Sequence, residues 1–279
     1  SKSPAANAKK LHDRSTHDMA AISLPPNYET ISRCVDGATN SGGIPGLGML
    51  THKLSLAESG QALGWPFVPR SITVLQQARE QLKQDAPYTW MAKHATHRGV
   101  TPVGARNDQL ADDLLLMQQR VDPPLLVDRH AFDIGMYVFF ERRPDATLST
   151  TIFDDVLLRF CLEPYVTAAQ AKGNVSDAWI VRDDYLTAWQ MPSLAGPLAA
   201  RRGDRAPSHS SLEKALPPSV WSHARQAMED VVATTAAAVG AAVASEGQAG
   251  GSGRSRIELV RYDFVLDASG TPWLVEINS

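Results

Sequence analysis

Several things are scarce in this 279-residue chain, and each scarcity removes a class of protein. Cysteine occurs only as Cys34 and Cys161, too few and too far apart for a disulfide framework or a zinc site. That fits a reducing compartment. An excess of positive charge is also missing, since 27 Lys and Arg face 30 Asp and Glu for a formal net charge of −3. No global basic field announces nucleic acid, and an acidic partner would need a local basic patch. Long apolar runs are missing too. The longest, residues 231–244, is alanine-rich, interrupted by threonines and too short to span a bilayer. Residues 1–40 are polar and lack sustained periodicity, which predicts a disordered or poorly packed leader. The chain opens on Ser instead of Met and stops inside a strand pattern, so the expectation is a piece of a longer protein. Hydrophobic residues make up 43% and charged residues 20%, ordinary values that allow one large core or two smaller ones.

The most informative stretch is the last one, residues 257–279. Two apolar runs of strand length flank the turn-like tetrad Ala268, Ser269, Gly270 and Thr271, which predicts a β-hairpin. If those four residues form the loop, Asp267 lies opposite Pro272, Asp263 opposite Glu276, and Arg261 opposite Asn278. Like charges placed directly across a strand pair are destabilising unless something neutralises them. Side chains alternate with period two, so Asp263, Glu276 and Asn278 share one face. Two carboxylates and an amide oxygen make a hard, oxygen-rich site of the kind that holds Mg²⁺ together with substrate phosphates. The alternative is a solvated hairpin whose charges point at water. Flanking Val265, Leu274, Val275 and Ile277 argue against full exposure.

Those residues also resemble the closing motif of the tubulin–tyrosine ligase-like family, an aspartate followed after one strand by E-(V/I)-N. The resemblance implies an α/β ATP-grasp fold, with mixed and antiparallel sheets and flanking helices. It implies ATP and Mg²⁺ as cofactors, with Asp263, Glu276 and Asn278 as metal ligands. It also implies a free amino acid as co-substrate, tubulin or microtubules as partner, and a cytoplasmic, cytoskeletal or ciliary location.

Other segments match the family in order. Ile44-Pro45-Gly46, then Leu50-Thr51-His52-Lys53, resembles its early segment, although an ordinary surface lysine explains Lys53 equally well. Trp90 to Lys93 resembles its W-x-x-K strand end, where a compact cation meets nucleotide phosphates. Arg98 and Gly99 match the R-G of the loop that folds over them, without the usual second glycine. Gln118 to Val121, before Pro123, resembles the hinge that passes the adenine, which makes Gln118 and Val121 candidate nucleotide contacts. Residues 131–141 alternate well, with Phe132, Ile134, Met136, Val138 and Phe140 on one face and Asp133, Gly135 and Tyr137 on the other. Leu158-Arg159-Phe160 resembles the family's L-R-F, and Arg159 falls on an arginine facing the reaction centre.

The departures lie in the same stretch. The family's K-F-D-(I/L)-R reads here Ala131-Phe132-Asp133-Ile134-Gly135, so two cations are missing while Asp133 stays. Arg261 replaces a glycine of the family and could pair with Asp263 or Glu276, or contact phosphate; it is the best candidate to replace the lost charge, ahead of Arg129 and His130. Leu186-Thr187 is a partial echo of the family's L-T-N. Residues 192–218, rich in Pro, Gly, Ser and Arg, predict an exposed insertion, and residues near 245–255 a flexible link. Between them a long helix is predicted from residue 218, with Trp221, Ala224, Met228, Val231, Val232, Thr235 and Val239 on its core face. The expected organisation is a leader (1–40), an N-terminal part (41–85) and an ATP-grasp domain (86–279). The implied activity is a ligase adding an amino acid, glutamate first, to a carboxylate of tubulin or a related protein through an acyl phosphate, with Asp133, Arg159 and Arg261 as catalytic groups. The competing reading is a nucleotide-binding scaffold that no longer ligates, motivated by Ala131 and Gly135.

Overall fold

Two antiparallel sheets frame a cleft, and the alternation of apolar residues explains how each is buried. This computed structural model describes residues 43–94, 99–104, 110, 113–171, 175–200, 208–248 and 255–279. The expected leader and Arg98 lie outside the described residues. In chain order the first elements are α1 (Gly48–Thr51), α2 (Lys53–Ala62), β1 (Ser71–Ile72), α3 (Leu75–Leu82), β2 (Trp90–His94), β3 (Val100–Val103) and β4 (Leu114–Gln119). Then come β5 (Leu126–Val127), β6 (His130–Arg142), β7 (Leu148–Phe160), α4 (Ser176–Trp179) and β8 (Leu186–Thr187). The last are α5 (Pro192–Ala199), α6 (Ser208–Ala215), α7 (Pro218–Gln248), β9 (Arg256–Leu266) and β10 (Pro272–Asn278). Among the described residues the smaller sheet runs β1-β4-β2-β3, and the larger runs β10-β9-β6-β7-β8 with β5 added to β6.

The larger sheet carries the main core on one face. Phe132, Ile134, Met136, Val138 and Phe140 of β6 are all buried, as the period-two pattern requires. Every residue of the predicted α7 stripe is buried too, and Thr235 meets the Tyr262 hydroxyl of β9 at 2.9 Å. By length and composition α7 could cross a membrane, yet this buried stripe is the pattern of a core helix. The opposite face of the sheet, with Asp133, Gly135, Arg261 and Asp263, is left for chemistry.

The described parts of 192–218, residues 192–200 and 208–218, are not the exposed insertion that their composition suggests. Two helices form there, and Leu194, Leu198, Leu212 and Leu216 join the main core. Pro192 opens α5 at a first-turn position, where a missing N–H is harmless. The predicted link near 245–255 also begins later, because α7 continues to Gln248; residues 249–254 lie outside the described residues.

The closing hairpin differs from its expected form in one detail. Pro272 pairs with Leu266, so the loop takes five residues, 267–271, and Asp267 belongs to it. The Asp267 carboxylate accepts from the backbone of Ser269 at 2.9 Å and Thr271 at 3.0 Å, and Gly270 adopts φ 88°. That positive φ is open to glycine and strained for most other residues. A β-bulge at Val275 then takes up one extra residue, and Glu276 faces Asp263 while Asn278 faces Arg261, as expected. The bulge has a packing reason. Leu274 and Ile277 are both buried although three residues apart, which a period-two strand permits only with an extra residue between them.

Candidate functional site

The cleft between the sheets has a volume of about 440 Å³, within the range of small-molecule sites. The smaller sheet contributes Lys93 and Gln118, with Val121 just past the end of β4, and the larger contributes Asp133, Arg159, Arg261, Asp263, Glu276 and Asn278. Gly99 accepts from the His94 backbone at 2.6 Å just after β2 and is not part of the lining.

Lys93 is buried at the end of β2. Its Nζ donates to the carbonyl of Val275 at 2.7 Å, which is the bulge residue of β10. Burial pulls its pKa down to about 8, and nearby Lys53 adds to that, against the opposing pull of Glu276 and Asp263. Lys53, undecided from sequence, reaches the cleft from the start of α2, with Nζ 3.5 Å from Glu276 Oε1. Segment 44–56 brings it there by packing Ile44, Leu47, Met49, Leu50 and Leu56 into the main core.

Arg159 lies at the centre of the acidic face. Its Nε and Nη2 fork onto Asp133 at 2.8 and 2.7 Å, and the same Nη2 reaches Asp263 Oδ2 at 3.0 Å. Arg261 forks onto Asp263 in turn, Nε to Oδ1 at 2.6 Å and Nη2 to Oδ2 at 2.9 Å. Burial pushes the Asp133 carboxyl up to about 7; Arg159 opposes this and Asp263 adds to it. Relative to the unfolded chain, folded Asp133 therefore holds a proton more readily in the range above the ordinary carboxylate value. Stability contributed there falls as pH rises. Urea midpoints at pH 5 and pH 7 should drop more for the wild type than for Asp133→Asn; equal drops would remove this assignment.

Neither Arg129 nor His130 enters the site. Asp128 and Arg129 form a two-residue turn with φ of 49° and 70°, which leaves Arg129 exposed, and His130 Nδ1 bonds the carbonyl of Cys161 at 2.8 Å. Arg261 does fill the space at Gly135. A Cβ at Gly135 would stand 2.8 Å from Arg261 Cδ, so the residue missing from β6 makes room for the arginine of β9. Leu186-Thr187 forms β8 and pairs with Phe160 and Arg159.

Sequence reasoning missed the far wall. Arg120 lies 4.1 Å over the Trp179 ring, bonds Asp122 at 2.8 Å, and shares its neighbourhood with Tyr165. Tyr88 meets Trp179 edge-on at 5.2 Å. No spacing signal marks residues this far apart in the chain. Cys161 also lines the cleft, but burial pushes its thiol up to about 12, which makes it inert.

The sequence model of the tubulin-tyrosine ligase family matches residues 52–279. The chain belongs to that family. The ATP-grasp-like, mixed α/β architecture of tubulin-tyrosine ligase family members agrees with the two antiparallel sheets and their flanking helices. A curated relative is the probable tubulin polyglutamylase ttll-15 of Caenorhabditis elegans, 27% identical over 239 residues, covering 84% of this chain and 45% of that protein. The chain thus spans about half the length of the curated relative it matches.

Magnesium can be tested against the donor set. Among the described residues no three His, Cys, Asp or Glu side chains form a metal-holding group; the relevant set is two carboxylates and an amide. Asp263 and Glu276 face each other and Asn278 is one step along the same strand. Hard oxygens in that arrangement suit Mg²⁺, which takes one or two carboxylates and completes its shell with phosphate and water. A cation, the Arg261 guanidinium, already lies on Asp263. The residues fit.

Proposed function

We propose that this chain binds Mg-ATP in the cleft and ligates an amino acid, glutamate first, to a carboxylate of tubulin or a related protein. One observation carries the nucleotide part. A buried lysine and a second cation, Lys93 and Lys53, converge on the strand that bears Glu276 and Asn278. Cations and hard oxygens so placed match a polyphosphate and its metal. Gln118 and Val121, with the Trp179 wall, then line the part left for the base.

Asp263, Glu276 and Asn278 would hold the magnesium, which supplies charge neutralisation for the phosphates. Lys93 and Lys53 would hold phosphate oxygens; Arg98 and Gly99, the family's R-G pair, are proposed to act with them. Arg159, fixed by Asp133, would orient the acceptor carboxylate that is activated as an acyl phosphate before an amine displaces the phosphate. Most of the catalysis in such a transfer is positioning and electrostatics. The relative's name supports tubulin as acceptor. The missing cations at Ala131 and Gly135 favour a second reading, a nucleotide-binding member without ligase activity.

Calorimetry tests the first reading. ATP is expected to bind more tightly with magnesium than without, and Glu276→Gln to lose that difference with an unchanged melting profile. Equal affinity in both conditions, or none in either, would sink the metal face.

A further inference from the structure

Asp263 carries four donors, three of them on one oxygen. Its Oδ1 accepts from Arg261 Nε at 2.6 Å, and its Oδ2 from Arg261 Nη2 at 2.9 Å, Arg159 Nη2 at 3.0 Å and Asn278 Nδ2 at 2.9 Å. Each carboxylate oxygen offers about two lone-pair positions, so Oδ2 is crowded by three donors, while the one position left on Oδ1 lies beside the Arg261 guanidinium. Asp263 is 3% exposed, which also keeps water from filling in.

The donors are not equally fixed. Arg159 keeps two bonds to Asp133 if its share of Asp263 is given up. Asn278 is itself an oxygen donor when its amide turns. Arg261 is different: it takes both oxygens at once and brings a full charge next to where a metal would stand. It remains charged at any pH the fold survives, so a rise in pH cannot release it. Its perch is built in, because Gly135 leaves the hollow that its Cδ and Cγ fill, 2.8 and 3.2 Å from where a Cβ would be. A second polar group is close as well, since Tyr137 lies opposite Arg261 on β6.

We infer that Arg261 and a divalent cation compete for the carboxylate of Asp263, so that the arginine sets how much metal the site requires. Bound metal turns the guanidinium out toward Tyr137 and the open cleft, where it becomes a free cation for an incoming anion. Without metal, Arg261 holds the acidic face together. Competition of this kind presupposes the magnesium face proposed above, and metal applied without nucleotide lets the two fail separately.

The test is a Mn²⁺ titration of the full-length protein without nucleotide, read from the electron paramagnetic resonance of the free ion. Arg261→Gly is expected to bind Mn²⁺ on the order of tenfold to a hundredfold more tightly than wild type, the worth of a charge-assisted hydrogen bond that metal no longer has to break. The gain should vanish in Asp263→Asn/Arg261→Gly. Gly135→Ala, which dislodges the arginine without removing its charge, should shift affinity in the same direction and serves if the Arg261 variant folds poorly. Equal affinity in wild type and Arg261→Gly, no binding by either, or a gain that survives loss of Asp263 overturns the competition.

Discussion

Arg159→Ala is expected to lower the ligation rate by a factor of about a hundred to a thousand, the usual loss when one preorganised donor is removed from a transition state. The structure gives two reasons for a value at the upper end. Arg159 is the only group that joins Asp133 to Asp263 in the described network, through three bonds of 2.7 to 3.0 Å. Without it, two buried carboxylates lose a shared counter-charge, so the reacting group and its supports are lost together. Arg159→Lys should not rescue, because an ammonium cannot fork onto Asp133 and reach Asp263 at once. Incorporation of labelled glutamate into tubulin measures the rate, and circular dichroism checks the fold. Wild-type rates in both variants would remove Arg159 from the reaction centre. No incorporation by the wild type, with ATP binding intact, would establish the non-ligating reading.

Lys93→Ala should weaken ATP binding by about tenfold to a hundredfold, the worth of a charge-assisted contact to phosphate. The lysine also gives the binding a pH signature. Free Lys93 loses its proton near pH 8, whereas a bound phosphate would hold the proton to higher pH. Binding above pH 8 therefore takes up a proton, and affinity falls by up to about tenfold per pH unit. Isothermal titration at pH 7 and pH 9 should show that fall in the wild type and a flat response in Lys93→Ala. A larger loss in Lys53→Ala would mean that Lys53, 3.5 Å from Glu276, is the main phosphate ligand.

Periodicity reported what depended on one element, and failed where distant elements decide. The alternation in β6 and the stripe on α7 showed which faces are buried, because strand and helix periods are local properties. The facing of Asp263 and Glu276 was legible from a four-residue loop that does not exist; a five-residue loop and the bulge at Val275 cancel to the same register. Residues 192–218 misled because composition was read as exposure, although four leucines there reach the core. Lys53 was undecidable, since 223 residues separate it from the glutamate it approaches. Gly135 and Arg261 were each visible as departures, but that one fills the hollow left by the other belongs to strand pairing, not to either residue.

The spare residue in β10 uncouples the hairpin's architecture from its chemistry at the level of the gene. An in-frame deletion of the Val275 codon would leave Leu274 opposite Phe264 and Glu276 opposite Asp263, with every remaining side chain on its present face. Only the carbonyl that receives Lys93 would be lost. A lineage could therefore lengthen or shorten this strand by one residue and keep a folded hairpin, while freeing or tethering the lysine in a single mutational step.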